Sequence, residues 1–544
     1  MSRKFKITAL LISFAIAACS ISACKREGAY VEDELKEVTT TDTYPQNTDK
    51  TLRYWVTLSG YVSATANNFG DTELAKYLEE ATGIKVEYEH PVAGQEQESF
   101  NILLSSDDMP DILEYTWANV NGGIENAIRD GVIAPLNSYI DKASPNLKAL
   151  LDKNPSWAVQ MMTDGGEYYQ YPRIRSTETL ASFMTYFIRK DLLEKAGLSV
   201  PETLEEWETA LYAFRDMGVK TPLSLRINNA MLEKFSPLTG LFGFAGTFYH
   251  DENHKVKFGP YEEAFADYVR LLKKWYDDGI LDKEFADGDS KRLAALITNG
   301  DAGAGYGYIG GDYGSYLSAI DPQSGIKLVP AKVPVRNKGE RPMYTQKDWP
   351  VGDGAAISGM SKNKELAARF LDFGYSEQGH MIYNFGKEGV SYTYQNTARG
   401  DHIPVYTDTI VDSKRNGNLS VAQAMAKYAR ANYGGPFVQD EEYIFQYYSF
   451  EEQKQALTMQ ESDTLNYKLP AINLSAEEQK RFNDIMTPIN TYREETLAKL
   501  ISGKLDIGYL DTYFAEMKRM GMEDAIALVQ KSYDNYLKRK PITF

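Results

Sequence analysis

Apolar and polar positions alternate in a way that predicts a strand–helix–strand–helix–strand series near the start of the chain. Thr51–Ser59 and Ile84–Tyr88 have the apolar pattern of strands, and the stretches Thr72–Ala81 and Glu96–Leu104 have that of helices. Pro110–Leu113 begins a third strand. This order favours a parallel sheet with right-handed crossovers.

A second pattern of this kind occupies Ser182–Phe214. The apolar, aromatic run Phe183–Ile188 suits a buried strand, and Leu192–Ala196 suits a short helix. Thr203 and Glu206 have the spacing of a capping box, in which each side chain satisfies a free backbone N–H at the start of the next helix. The stretch therefore predicts a buried strand followed by two helices.

The remainder of the chain is largely helical in pattern. Tyr261–Ile280 and Lys362–Phe373 are amphipathic, and 475–536 has helical periodicity broken only at two glycines. A hairpin is predicted around Asp251–His254 and a return strand at Trp349–Ile357. These elements predict an α/β protein that ends in a helical region.

The N-terminal segment has the pattern of a lipoprotein signal. Basic residues precede an apolar stretch at 7–18 that is too short to span a bilayer comfortably. Small residues then lead to Cys24, which we predict becomes the lipidated N-terminus; Cys19 also fits such a motif. The signal is predicted at 1–24, and 25–50, poor in apolar residues, is predicted to be a flexible tether. These features place the protein on the outer face of the cytoplasmic membrane.

Length, charge and cysteine content limit the number of cores, the partners and the chemistry that the protein can have. A chain of 544 residues is long enough for two cores, and a net charge of −17 disfavours nucleic acid as a partner. The only two cysteines lie in the signal region, so the mature chain has neither a disulfide nor a thiol nucleophile.

The run Phe187–Trp207 contains Arg-Lys-Asp-Leu-Leu-x-Lys-x-Gly-Leu-x-x-Pro-x-Thr-x-x-Glu-Trp. It resembles a signature of bacterial extracellular solute-binding proteins of the sugar-binding family 1, the receptor lipoproteins of ABC importers. Leu104–Ile112, Gly131–Leu136 and the C-terminal phrase beginning at Gly503 also resemble this family. The long helical end is most similar to that of the large oligosaccharide receptors.

The resemblance implies an α/β fold of the periplasmic-binding-protein type II kind. Two lobes with mostly parallel sheets would be joined by two or three hinge crossings, and a helical C-terminal extension would follow. The N-terminal lobe is expected at 51–183 and 352–400, and the C-terminal lobe at 184–351 and 401–544. A ligand held between the lobes would favour the closed state.

Motifs for other chemistry are weak. The glycines of Gly305-x-Gly307-x-x-Gly310 match a dinucleotide fingerprint, but 311–315 has a loop-like pattern, so we interpret the glycines as allowing backbone to approach the cleft. His250 and His254 fall in the predicted hairpin and not on a helix. We therefore predict no metal and no cofactor.

The sequence also offers no clear set of residues for calcium binding or for hydrolysis. Arg215–Lys220 replaces the Asp- and Asn-rich calcium loop of some relatives and offers too few oxygen ligands. Paired carboxylates are uninformative among 76 acidic residues, and no Gly-x-Ser-x-Gly elbow occurs. We therefore predict no catalytic residue.

Tyrosine is the most abundant aromatic residue, with 38 copies, and aromatic planes match the C–H face of a sugar ring. Candidates for ligand binding are residues at strand ends and in Gly-rich loops, where open α/β sheets bind ligands. They are Tyr61, Asn67, Trp117, Arg173, Tyr308, Asp312, Tyr313, Trp349, Asp353, Asn384, Glu388, Tyr392 and Tyr433.

The function expected from the resemblance is capture of an oligosaccharide and its delivery to the permease subunits of an ABC transporter. The receptor is expected to be a monomer and not an enzyme. Two other hypotheses stay open: a lipid-anchored glycoside-active enzyme, and a receptor for a non-sugar solute such as a peptide, since a fold does not fix a ligand.

Overall fold

The computed structural model describes residues 35, 44–225, 237–286, 290–343, 347–412, 414–461, 467–471 and 473–542. The predicted signal at 1–24, with Cys19 and Cys24, and most of the predicted tether lie outside these residues. Within them, no helix is long and apolar enough to cross a membrane.

Strands and helices alternate in the first half of the chain, and the chain is helical after its last strand. In chain order the strands are β1 (Thr51–Trp55), β2 (Lys85–Glu89), β3 (Ile112–Tyr115), β4 (Tyr171–Arg175), β5 (Met184–Arg189), β6 (Thr221–Ser224), β7 (Phe248–His250), β8 (Val256–Phe258), β9 (Ala302–Tyr308), β10 (Leu328–Ala331), β11 (Val351–Ile357), β12 (Tyr392–Thr397), β13 (Gly400–Tyr406) and β14 (Val438–Gln439). The α-helices are α1 (Glu73–Thr82), α2 (Glu96–Leu104), α3 (Ile124–Arg129), α4 (Asn137–Ala143), α5 (Pro145–Lys153), α6 (Pro155–Gln160), α7 (Lys190–Ala196), α8 (Leu204–Asp216), α9 (Phe265–Asp277), α10 (Ser290–Thr298), α11 (Gly314–Ala319), α12 (Lys364–Asp372), α13 (Glu377–Phe385), α14 (Asp408–Val411), α15 (Val421–Tyr428), α16 (Glu441–Tyr447), α17 (Glu451–Glu461), α18 (Ala476–Ile501), α19 (Leu510–Arg519) and α20 (Met522–Lys538).

The first sheet has the order β14-β4-β11-β3-β1-β2. β1 is parallel to β2 and β3, as predicted from the alternating pattern, whereas β11 runs antiparallel to β3 and β4. Side chains alternate across this sheet: Tyr54 and Ile112 enter the core on one face, and Trp55 and Leu113 enter the core on the other. Both faces are therefore buried beneath helices.

The second sheet has the order β10-β5-β9-β6 and is more antiparallel than predicted. Only β6 and β9 run parallel, because the chain enters this sheet along β5 and leaves it along β10 in the opposite direction. Every residue of β5 is buried. A Cβ at Gly305 in β9 would lie 2.6 Å from Cζ of Phe187, so this glycine allows the two strands to pack closely.

The chain passes between the two sheets after β4, between β10 and β11, and after β14. The first two passes hydrogen-bond to each other: the amide of Asp348 donates to the carbonyl of Ala181 at 3.0 Å, and the amide of Arg175 donates to the carbonyl of Pro350 at 2.8 Å. The side chain of Ser176, in the first pass, donates to the carbonyl of Gln439 at 2.9 Å and so connects the first pass to the third. The three passes thus form one bundle.

The segment around β14 differs from the predicted lobe boundaries. It falls in 401–544, which the resemblance assigned to the C-terminal lobe, yet Val438 pairs with Ile174 of the first sheet. The reason is that the third pass comes only after β14, and α17 is the first helix beyond it to pack on the second sheet. The other lobe boundaries stay a prediction.

Local signals in the sequence are confirmed where they rest on capping. Thr203 and Glu206 form the expected box at α8, and Ser475 forms another with Glu478 at α18. The C-terminal helix α18 packs against both α9 and α20, and α20 follows Gly521, whose φ of 96° few other residues adopt.

The glycine-rich segment is more helical than predicted. β9 ends at Tyr308 and passes through one π-helical turn, Ile309–Tyr313, into α11. The carboxylate of Asp312 accepts a hydrogen bond from the amide of Tyr308 at 2.9 Å and closes this turn. The loop expected at 311–315 is thus a turn of helix held by its own side chain.

Candidate functional site

The carboxyl ends of β1, β3 and β4 lie at one edge of the first sheet, and β11 begins at the same edge. In the second sheet the carboxyl ends of β6 and β9 lie beside the start of β5, next to the first pass between the sheets. Ligands of open α/β sheets bind at such edges. The site is therefore expected where the passes meet these strand ends.

Two cavities lie at this edge of the first sheet, with volumes of about 500 Å³ and about 300 Å³. Arg173 of β4 and Asp353 of β11 line both of them, so the cavities adjoin. Together they form what we call the cleft. Its walls come from the ends of β1 and β3, the second pass, the segment 430–434, and the segment 468–471 together with Asn473.

Arg173 is half-buried in the cleft beside Gly352. A Cβ at Gly352 would lie 3.5 Å from Nε of Arg173 and 3.3 Å from Nη1 of Arg175, so the absent side chain leaves room for both guanidinium groups. Burial and the neighbouring Arg175 lower the pKa of Arg173 to about 10. Within the described chain its buried Nε has no hydrogen-bond acceptor.

Asp353 provides the complementary charge. Its side chain faces the cleft, and burial within the surrounding protein raises its pKa, although Arg173 and a hydrogen bond with the Thr116 side chain act in the opposite direction. Among the described residues, no ion pair within 4.0 Å joins it to Arg173. The two side chains therefore face the same space without closing on each other.

A second charged group anchors the passes. Asp348 contacts Nη2 of Arg175 and Nζ of Lys468, both at 2.8 Å. Burial works against ionisation of Asp348, but the two cations outweigh it and lower its pKa. Arg175 also donates to the carbonyl of Trp349 at 3.0 Å, which fixes that residue in the wall of the cleft.

A buried ion pair forms the base of the larger cavity. Nη2 of Arg430 lies 2.5 Å from Glu114 at the end of β3, and the hydroxyl of Tyr54 donates to the other carboxylate oxygen at 2.6 Å. Burial works against the charge on Arg430, but Glu114 raises its pKa. The guanidinium also lies 5.2 Å from the ring centre of Tyr433.

The structure brings together five of the predicted ligand-binding residues in this cleft. They are Trp117, Arg173, Trp349, Asp353 and Tyr433. Trp117 is only 1% exposed, and its indole N–H donates to the carbonyl of Gly354 at 3.0 Å, so it supports the wall more than it forms the surface. Trp349 is half-buried, and its indole N–H donates to the carbonyl of Leu469 at 2.9 Å.

Two predicted tyrosines lie near each other but outside the two cavities. Tyr61 is 38% exposed and interacts electrostatically with Tyr447. Tyr308 is 40% exposed and stacks on Phe183 at 5.9 Å. A Cβ at Gly310, in the turn after Tyr308, would lie 3.2 Å from the ring of Tyr447.

Three further candidates contact the protein itself, in a turn or in the core, and not the cleft. Asp312 closes the turn after β9, and Tyr313 is fully buried with its ring stacked on Phe187 at 5.4 Å. Asn384 is also fully buried; its amide group donates to the carbonyl of Val438 at 2.9 Å and accepts from the amide of Asp440 at 3.0 Å. The structure assigns these three side chains to turn and core contacts.

The last three candidates lie away from the cleft. Glu388 and Tyr392 line a separate groove of about 940 Å³ near the end of α1, beside the amino end of β2. Tyr44 lies in that groove, with its ring 4.9 Å from Phe373. Asn67 is exposed on the loop after β1 and lines neither cavity of the cleft. The larger volume of this groove does not make it the better site, because it lies at the amino edge of the sheet.

Sequence reasoning missed several charged residues of the cleft, namely Glu114, Arg430, Asp348 and Lys468. Glu114 lies in β3, three residues before Trp117, so the strand-end argument could have included it, whereas Arg430 follows a helix, and its only local signal is that it lies three residues before the candidate Tyr433. Lys468 comes from a distant segment and gives no local signal. Among the described residues, no group of three or more His, Cys, Asp or Glu side chains could hold a metal ion.

Two α/β halves, three chain passes between them and a polar cleft beside the passes define a two-lobed binding protein. Residues 63–381 match the family profile of bacterial extracellular solute-binding proteins. The chain belongs to that family, and its members are solute-binding proteins rather than enzymes.

Individual relatives are similar over nearly the whole chain. Over 99% of both chains, the sequence is 24% identical to the fructooligosaccharide ABC transporter substrate-binding protein FusA of Streptococcus pneumoniae serotype 4. Solved structures with the same fold include an HMO-binding, ABC-transporter-associated solute-binding protein from Bifidobacterium longum infantis (17% identity, TM-score 0.70) and the alginate-binding protein AlgQ2 (24% identity, TM-score 0.66). Each covers 90% of this chain and all of its own. The predicted fold class is thereby confirmed.

Proposed function

We propose that this protein is the substrate-binding lipoprotein of an ABC importer and that it holds an oligosaccharide in the cleft. One observation carries the proposal: aromatic and planar polar side chains meet at the carboxyl edge of the first sheet, beside the passes between the sheets. Full-length similarity to a fructooligosaccharide-binding protein supports the choice of ligand class.

The residues of the cleft suit a sugar physically. A sugar ring has an apolar C–H face and a rim of hydroxyl groups that both donate and accept hydrogen bonds. Trp349 and Tyr433 offer aromatic surface, and Arg173 and Asp353 offer a donor and an acceptor. The outer tyrosines Tyr61 and Tyr308 would contact sugar residues that extend beyond the two cavities.

The proposed assembly follows from the predicted N-terminal segment. A lipid on Cys24 holds a monomer at the outer face of the cytoplasmic membrane, and the tether gives it reach to the permease subunits. Closing of the lobes around the ligand supplies the form that the permease recognises. The chain itself performs no covalent chemistry, and transport energy comes from partner subunits.

The binding proposal is tested with the full chain in mild detergent. Calorimetric titration against neutral and acidic oligosaccharides of three to six residues should give saturable binding to at least one of them, with no product by mass spectrometry. Trp349→Ala should weaken that binding at least tenfold, whereas Trp157→Ala, at a half-buried tryptophan that lines neither cavity, should not. Cleavage of the sugar would favour the enzyme, and binding of peptides alone would favour the other receptor class.

The anchor is tested separately in cells. Cys24→Ser should release the protein from the membrane fraction and abolish labelling by a fatty-acid analogue. Cys19→Ser is the matched control and should remain attached. The opposite result would move the lipid to Cys19, and attachment of both variants would remove the proposed anchor.

A further inference from the structure

Arg173 and Asp353 are the two side chains common to both cavities of the cleft. Arginine can only donate hydrogen bonds, and an ionised carboxylate can only accept them. Within the described residues, the Nε of Arg173 is buried without an acceptor, and the two groups form no ion pair within 4.0 Å. The Arg173 guanidinium, a donor, and the Asp353 carboxylate, an acceptor, thus line the same space; Asp353 also hydrogen-bonds the Thr116 side chain, and a carboxylate has room for further donors.

The charges of the lining balance. Four cationic side chains meet four carboxylates in the two cavities: Arg173, Arg175, Arg430 and Lys468 against Glu96, Glu114, Asp348 and Asp353. Three of the cations are already engaged, because Arg175 and Lys468 share Asp348 and Arg430 pairs with Glu114. Arg173 is the fourth cation, and among the described residues it forms no ion pair within 4.0 Å, although Asp353 and Asp348 both act on it electrostatically.

An anionic ligand would be repelled here. A carboxylate placed on Arg173 would compete with Asp353, which lines the same two cavities and has no ion pair with a cation among the described residues, and like charges at short range disfavour ionised forms. The net charge of −17 adds a long-range field that acts against anions. A neutral ligand is subject neither to repulsion by the nearby carboxylate nor to the long-range negative field.

We propose, on the basis of the function proposed above, that the ligand is a neutral oligosaccharide and that adjacent hydroxyl groups of one sugar residue bridge Arg173 and Asp353. One hydroxyl accepts from the guanidinium and another donates to the carboxylate, which accepts it in addition to the hydrogen bond with Thr116, so each charged group gains a further partner. The lowered pKa of Arg173 and the raised pKa of Asp353 agree with two charges that need such partners. Gly352 keeps this space clear of a side chain.

The test uses the full chain and sets of matched length: neutral fructo-, galacto-, xylo-, malto- and manno-oligosaccharides of three to five residues, and oligogalacturonates of three to five residues. We expect a neutral set to bind at least tenfold more tightly than the oligogalacturonates. Raising the salt concentration from 50 to 500 mM should change the affinity for the neutral set less than twofold, because no net charge is transferred. A permethylated sugar, which keeps oxygen acceptors but has no hydroxyl donors, should lose the interaction with Asp353.

Two variants locate the contact. Asp353→Asn and Arg173→Lys should each weaken binding of the neutral sugar about 10- to 100-fold, the range expected for losing hydrogen bonds to a charged group. Thermal unfolding without ligand checks that each variant folds. Asp130→Asn, at an exposed carboxylate outside the cleft, is the matched control and should bind like the original protein.

The outcomes separate this inference from the proposed function. Tighter binding of oligogalacturonates, or unchanged affinity in both folded variants, would overturn the neutral-sugar bridge and leave oligosaccharide capture intact. Failure of every oligosaccharide to bind would overturn both. Neutral binding that falls in both variants and is lost on permethylation would support the bridge.

Discussion

The buried pair Arg430–Glu114 allows a quantitative prediction about stability. The two side chains are 3% and 12% exposed, and their closest atoms are 2.5 Å apart. Replacing Arg430 by Ala leaves the carboxylate with the hydroxyl of Tyr54 as its remaining side-chain partner. Removing one member of a buried pair typically costs about 3–5 kcal/mol. We therefore expect Arg430→Ala to lower the free energy of unfolding by that amount.

The assay is unfolding in guanidinium chloride, followed by tryptophan fluorescence and checked by calorimetry. At about 2–4 °C per kcal/mol for a unit of 150–250 residues, the melting temperature of the half that contains the pair should fall by roughly 6 °C or more. We expect unfolding in two steps, one for each half of the molecule. In Arg430→Ala, the transition in which the first sheet unfolds should shift to lower guanidinium chloride concentration and lower temperature, and the other transition should not.

Two controls define the interpretation. The double variant Arg430→Met/Glu114→Leu removes both charges and should cost less than Arg430→Ala, because it leaves no unpaired carboxylate. Arg129→Ala breaks a contact to Asp130 in which both side chains are more than half exposed, and it should change stability by only about 0–1 kcal/mol. A cost below about 1 kcal/mol for Arg430→Ala would refute the reasoning that this pair is buried and interdependent.

Three further predictions test other parts of the molecule. Gly305→Ala should lower the melting temperature measurably by calorimetry, because the new Cβ would lie 2.6 Å from the Phe ring of the neighbouring strand. Lys338 and backbone amides lower the pKa of Glu206 to about 2, so its contribution to stability is present above its ordinary pKa and lost as pH falls toward about 2; Glu206→Gln should flatten the acid limb of stability against pH. Arg539→Ala should loosen α20 from the loop at Asp164, which it contacts at 2.6 Å, and raise hydrogen exchange in both segments.

The fold could be predicted from the sequence wherever local chemistry decides it. The capping box at Thr203 and the apolar strand β5 both appear where the pattern places them. Strand direction in the second sheet could not be predicted this way, because it depends on where the chain enters and leaves the sheet. The turn after β9 was also missed, since it depends on the contact between Asp312 and the backbone.

The candidate site was predictable in part. Arg173, Trp349 and Asp353 were found because the sequence pattern places them close to strand ends or to the second pass, and such positions share one edge of the sheet. Asn384 and Tyr313 satisfied similar local criteria but turn inward, because helix packing and not sequence position sets the direction of a side chain. A pattern along the chain identifies the edge of a sheet better than it identifies which side chains face the ligand.

The placement of the cleft beside the chain passes connects binding with motion. Arg175 and Asp348 lie on two passes and pair with each other, while Arg173 and Asp353 lie only a few residues away and face the cleft. A rotation of the second sheet relative to the first must bend these same passes, so it must also move the walls of the cleft. A ligand that bridges Arg173 and Asp353 therefore favours whichever arrangement of the passes holds them at the right separation. Since Lys468 joins the segment before the C-terminal helices to the carboxylate of Asp348, bending of the passes would also move that segment.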